Sequence, residues 1–224
     1  DPPDWGENFS EQDWSDLYCD KFIILLKLSI TSYLINDIEQ CVQYYHKAVD
    51  ALNTFSFLMN SYSTEFLDCC LKAGIGSFNL GKFDQAISIL SKAVDVANKL
   101  GDIKSKINAL MGMQASFREK EEWQQVLELG EKVLCIDSHF SYFEKCMAHF
   151  NRGVAFDELG EKGKSISELT SMIEIATKNG LIREITEGLM FRAALWNEIK
   201  NSKNFEDDVQ RAFSVHEAIQ AWSE

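Results

Sequence analysis

"NLGKFDQAISILSKAVDVANKLGD", residues 79–102, places Gly81, Phe83, Ala86 and Ala93 in one short run. A turn signal, "NLGKF", precedes a stretch with apolar residues at helical spacing, so a helix is expected to start near Phe83. Aligning the rest of the chain to this stretch gives Ile38, Phe83, Trp123, Lys162 and Phe205 as equivalent starts, spaced by 45, 40, 39 and 43 residues. Three residues on from each start come Cys41, Ala86, Val126, Ser165 and Asp208, and ten residues on come Ala48, Ala93, Val133, Met172 and Val215. The last set is uniformly apolar.

Nine residues before each start lie Ser29, Gly74, Gln114, Gly153 and Trp196, and three of these are small. A small residue there lets a first helix approach the second closely, and the turn signals "NLGKF", "REKEEW", "ELGEKG" and "IKNSKNF" separate the two. Each unit therefore reads as a helical hairpin. One hairpin cannot bury both of its faces, so successive hairpins must stack on a shared core, which gives a curved solenoid. Prolines occur only at positions 2 and 3, so no ring interrupts a helix from Asp4 onward. The expected fold class is all-α, with an acidic arm over 1–12 and a repeat domain over 13–224. Its helix pairs are expected at 13–35/38–60, 64–80/83–99, 103–119/122–136, 141–159/163–179 and 182–200/204–222. Trp196 and Asp208 stand where small residues are usual, so the fifth hairpin reads either as a repeat or as a cap.

These residues resemble the tetratricopeptide repeat family. Cys70, Ala73, Gly74 and Ser77 follow the spacing of the family's first helix, and Ala86, Leu90 and Ala93 that of its second. "LGKFDQAI" carries most of the likeness, and Phe150-Asn151-Arg152-Gly153 with "ELGEKGKSI" is a second good match. The period is near 40 rather than about 34, similar to the longer repeats of kinesin light chain and spindle-orientation adaptors, and the proline that ends each family repeat is missing. The resemblance implies a right-handed α-solenoid of about five hairpins, in which the first helices line a concave groove. The matching positions are Leu71, Ile75 and Phe78; Met111, Ala115 and Arg118; Met147, Phe150, Asn151 and Val154; and Met190, Ala193 and Asn197. A register one residue away would make the same residues inter-helix core. Asn151 stands where family members often hold a ligand's backbone by an amide. Leu71 and Ile75 occupy places where chaperone-binding members carry Lys and Asn, so a clamp for a C-terminal carboxylate is not expected.

Composition narrows the work such a groove can do. Lys and Arg number 22 against 35 Asp and Glu, a net charge of −13 that opposes a phosphate backbone, so nucleic acid is not an expected partner. The apolar run Phe22 to Leu26 stops at Lys27, far short of the roughly 18 residues a membrane span needs. Seven acidic residues and no Lys or Arg precede Lys21, the reverse of a secretory leader, and a chain that starts at Asp1 is expected to be a piece of a longer one. Six cysteines without a framework spacing suit buried thiols in a reducing, cytoplasmic setting.

No phosphate-binding glycine loop, nucleophile elbow or His-Glu-x-x-His occurs, so no enzyme activity and no cofactor are expected. Cys135, His139, Cys146 and His149 have metal-ligand side chains, but their spacing departs from zinc patterns, and core thiols with helix-end histidines are expected instead. Adjacent Cys69 and Cys70 point to different helix faces, with Cys70 expected in the core. The expected function is a non-catalytic interaction module or adaptor that binds a peptide or amphipathic helix of another protein. The alternatives are a permanent scaffold subunit, a homodimer, or a regulatory domain of a larger enzyme. Ser10-x-x-Asp13 resembles a capping box that starts a helix near Glu11, leaving Trp5 and Phe9 in an acidic lead that either caps the first repeat or docks on a partner.

Overall fold

A computed structural model describes residues 11–54, 58–136 and 142–223. Among the described residues there are ten helices and no strand: α1 Glu11–Leu34, α2 Ile38–Thr54, α3 Leu58–Asn79, α4 Phe83–Leu100, α5 Ile103–Glu119, α6 Trp123–Leu134, α7 Tyr142–Glu158, α8 Lys162–Lys178, α9 Ile182–Glu198 and α10 Ser202–Ser223. The chain divides into two compact units, Asp1–Ser116 and Phe117–Glu224. The N-terminal arm up to Ser10, together with His139 and Phe140, lies outside the described residues.

Each odd-numbered helix turns into the next even-numbered one through the same backbone device. A left-handed residue follows the first helix by two positions: Asn36, Gly81, Glu121, Gly160 and Lys200, with φ of 63°, 71°, 58°, 77° and 58°. The residue after it sends its N–H back to the carbonyl five positions earlier: Asp37 to Ser32, Lys82 to Ser77, Glu122 to Phe117, Glu161 to Phe156, and Asn201 to Trp196. These are Schellman closures, which satisfy carbonyls that a helix end leaves unpaired. Gly101 and Gly180 repeat the closure at the ends of α4 and α8.

The turns correct the register of the fifth hairpin. In the first four, the second helix begins two residues after the left-handed residue, so α10 begins at Ser202 and not at Phe205. Counting from Ser202, the small positions are Ala193 and Ala212, both buried, and the period from Lys162 is 40 residues, like its neighbours. Trp196 and Asp208 are thus ordinary residues read three places late, and the fifth hairpin is a repeat. The aromatic ring of Phe205 mimics that of Phe83 and drew the alignment one helical turn along.

Within the first unit the close approaches fall where the spacing requires. Ser29, fully buried, donates through its hydroxyl to the Cys41 carbonyl at 2.7 Å. A Cβ on Gly74 would stand 2.6 Å from the Leu90 side chain, and one on Gly112 would stand 2.8 Å from the other side of the same leucine. Leu90 is therefore clasped between two glycines. The core gathers Phe22, Leu26, Tyr45, Phe66, Cys69, Cys70 and Leu90. Tyr45 and Phe66 stack at 6.3 Å, with Phe22 tilted against Phe66 at 6.3 Å.

In the second unit Gly153 faces Leu169 at 3.2 Å and the Ser165 carbonyl at 3.6 Å, reckoned from the Cβ it lacks. The core there is built from Cys146, Leu169, Met172, Ile173, Leu189 and Leu195. Two charge clusters are threaded through it. Arg152 donates from Nε and Nη2 to Glu168 Oε1 at 3.0 and 2.8 Å, while His149 Nδ1 lies 2.7 Å from Glu168 Oε2. Arg192 holds Asp208 bidentately at 2.8 and 2.7 Å and donates to the Thr170 hydroxyl at 2.7 Å.

Candidate functional site

The first-helix positions singled out in the sequence fall into two sets, one in each unit. In the first unit Leu71, Ile75 and Phe78 are half-buried along α3, and Met111 and Ala115 are half-buried on α5. Phe78 is tilted against Phe83 across the hairpin at 5.7 Å, which holds its ring at the turn end of the helix. The second unit carries the larger contrast. Met147, Phe150 and Val154 are half-buried on α7, while Met190 on α9 is 54% exposed. Phe150 meets Phe191 edge to face at 5.7 Å, a geometry that places one ring's positive edge on the other's negative face.

Two of the positions do not line a surface. Ala193 is 2% exposed and occupies the small-residue place at the α9–α10 contact, which the corrected register assigns to it. Asn151 is 3% exposed, and its Oδ1 accepts from Arg118 Nη1 at 2.9 Å. The asparagine holds a guanidinium of the same chain. Arg118, whose side chain remains 29% exposed, also donates from Nη2 to Glu119 at 3.1 Å. A half-exposed cation is therefore fixed in direction beside the apolar residues of α7. Asn197, at the far end of α9, is exposed.

The thiols sort by burial. Cys41, Cys69, Cys70 and Cys146 are fully buried, Cys19 is half-buried and Cys135 is exposed. Burial pushes the Cys69 thiol up to about 12 and the Cys146 thiol up to about 11, so neither ionises near neutral pH. Cys69 joins Cys70 in the core even though the two leave the helix in different directions, because α3 is covered on both flanks. Among the described residues no three His, Cys, Asp or Glu side chains converge as metal ligands. Cys146 points its thiol at the Met172 carbonyl, and His149 is engaged with Glu168.

One concavity escaped the sequence reading. A cavity of about 320 Å³ in the first unit is floored by Val49, Leu52, Phe66 and Val96 and flanked by Lys92 and Lys99. It lies among α2, α3 and α4, and no motif marks it, because its walls belong to three helices distant in sequence. No helix among the described residues is long and apolar enough to cross a membrane.

No family model and no curated protein matches the chain. Solved structures do. A putative kinesin light chain from Podosopora anserina with nearly identical TPR-like repeats is 11% identical, with a TM-score of 0.69 over 91% of this chain and 98% of that one. MamA is 16% identical, with a TM-score of 0.69 over 92% and 97%. PlcR of Bacillus thuringiensis, in complex with the peptide PapR7 and DNA, is 14% identical, with a TM-score of 0.61 over 97% of this chain and 74% of that one. With the Schellman-closed hairpins and their small-residue contacts, these likenesses establish that the chain has an all-α, tetratricopeptide-repeat-like fold.

Proposed function

We propose that the protein is a non-catalytic adaptor, acting in the cytoplasm, that binds an extended peptide or an amphipathic helix of a partner protein. The observation that carries this reading is the first-helix surface of the second unit. There Met190 stands exposed on α9, Met147, Phe150 and Val154 stand half-exposed on α7, and Arg118 is held by Asn151. Methionine side chains adapt to varied apolar shapes, and a guanidinium fixed beside them orients an acidic residue or a chain terminus of the ligand. Leu71, Ile75, Phe78, Met111 and Ala115 are the corresponding half-buried positions of the first unit, considered by itself. PlcR, similar in fold, is known in complex with a peptide, which makes peptide recognition a natural use of this architecture. That complex also contains DNA, but a net charge of −13 disfavours the same role here.

A library of fluorescent amphipathic and acidic-aromatic peptides, titrated by anisotropy, tests the reading. Met190→Glu and Arg118→Ala should each weaken the best peptide at least about tenfold, with helicity unchanged, as expected for loss of a central contact of about 1.4 kcal/mol or more. Equal affinity in both variants would end the reading.

A further inference from the structure

The interior of the repeat shows what its two outer faces lack. Counting back fourteen residues from the start of each second helix gives Ile24, Cys69, Ala109, Ala148 and Gly188, and counting back seven gives Thr31, Gly76, Ser116, Ala155 and Leu195. On α3, α5, α7 and α9 every one of these is buried, whereas on α1 Ile24 is 54% exposed and Thr31 is exposed too. Three of the buried ones meet the hairpin before their own. Cys69 lies beside Ser29 and Cys41, a Cβ on Gly76 would stand 2.8 Å from Ile38, and one on Gly188 would stand 2.7 Å from Ile173. Ile173, eleven residues into α8, is 3% exposed; Phe213, at the same place in α10, is 63% exposed. Among the described residues no hairpin precedes α1 or follows α10, so each of these helices presents one half of the same kind of contact.

We propose that the protein binds a second copy of itself head to tail, with the outer face of α10 of one copy seated on the outer face of α1 of the next. The buried contact between α8 and α9 supplies the register. There Arg192, ten residues before α10, donates to Thr170, eight residues into α8, and Ile173 covers Gly188. The same pairing sets Gln210 against Leu28 and Phe213 against Ile24, and one helical turn further it brings Glu217 to Lys21. All six are exposed. The charges agree. From Lys21 onward α1 carries Lys21 and Lys27 and no acid, while the stripe of α10 through Gln210 and Phe213 carries Glu206 and Glu217. This local attraction gives direction to copies that a net charge of −13 otherwise drives apart. Ile24 and Phe213 are larger than Gly188 and Ile173, so the copies stand farther apart than hairpins within the chain and are held by apolar area rather than by close backbone approach. The contact is heterologous, leaving α1 of one copy and α10 of the other free. It shares no residue with the surface assigned above to a peptide or helix.

Light scattering of the 224-residue chain over a range of concentrations tests this. The mass should rise with concentration. Ile24→Asp and Phe213→Asp, both at exposed positions, should each stay monomeric with helicity unchanged. An equal mixture of the two should form a complex of one copy of each, because each variant retains the face that the other lacks. Lys21→Glu should weaken association about threefold, the size expected of one exposed ion pair, and adding Glu217→Lys to it should recover the loss. A monomer at every concentration would overturn the proposal, and so would a mixture that stays monomeric. Self-association of Phe213→Asp alone would overturn it as well, because α1 would then be pairing with α1.

Discussion

The two units solve one packing problem with different chemistry at the same repeat positions. The residue just before each small first-helix position is Leu28, Ala73 and Met113 in the first unit, and Arg152 and Arg192 in the second. The residue six places into the second helix is Tyr44 and Ile89 in the first unit, and Leu129, Glu168 and Asp208 in the second. Where the first unit sets Ala73 and Ile89, the second sets Arg152 with Glu168 and Arg192 with Asp208, each pair 16 residues apart. Each arginine also reaches the hairpin before its own, Arg152 to the Leu127 carbonyl and Arg192 to Thr170. The apolar version is held by contact area and tolerates sliding. The ionic version fixes register through directional bonds, at the cost of desolvating two charges.

The comparison breaks most sharply at Asp208. Asp208→Leu strands the Arg192 guanidinium, which is only 11% exposed, and should cost about 3–5 kcal/mol in chemical denaturation. Converting both partners, Arg192→Met with Asp208→Leu, should restore most of that loss, since it copies the first unit's solution. A double variant as unstable as the single one would show that the pair does more than fill space.

Next in size is the close contact. Gly74→Ala forces a methyl against Leu90, which Gly112 already confines from the other side, and should cost about 1–3 kcal/mol. Gly153→Ala, with Leu169 at 3.2 Å and no second glycine behind it, should cost less than about 1 kcal/mol. Equal losses would mean that the two hairpins are equally tight.

A smaller effect in the second unit is read by pH. Burial alone would raise Glu168, but hydrogen bonds from His149 and Arg152 outweigh it and hold the carboxyl below the ordinary carboxylate range. A depressed folded-state value contributes stability that is complete above the unfolded value of about 4.3 and is lost as pH falls through the folded one. Thermal melts from pH 6 to pH 3 should show this loss, and Glu168→Gln should flatten it. The first unit's thiols contribute nothing in that range. Cys69, pushed up to about 12, should resist alkylation at pH 8 in the native protein, while exposed Cys135 reacts at once.

The hairpin architecture was legible because close helix contacts admit few residue types. Ser29, Gly74 and Gly153 announce themselves by size, and Ala48 and Ala93 by recurring at one offset, whereas Ala193 and Ala212 take those places only in the corrected register. The fifth register was misread because two aromatic residues, Phe83 and Phe205, look alike while the left-handed Lys200 carries no glycine to mark its turn. For the candidate surface, the sequence named positions but not what each side chain touches. The family resemblance pointed to Met147, Phe150 and Met190, which the structure leaves half-buried or exposed, but it could not tell that Asn151 is spent on Arg118, 33 residues away, or that Ala193 is spent on α10. The Arg–acid pairs were invisible for a related reason: a charge pattern reads as a solvated surface until the fold shows two helices meeting there.

The left-handed turns carry one more consequence, for engineering. Gly81 and Gly160 adopt that conformation freely, whereas Glu121 and Lys200 hold it with a Cβ in place, against a steric preference of about 1 kcal/mol each. Those two positions are unspent improvements: glycine there would relax both hinges without touching a contact. A selection for thermal resistance should find Glu121→Gly and Lys200→Gly early, and sooner than any change in either core.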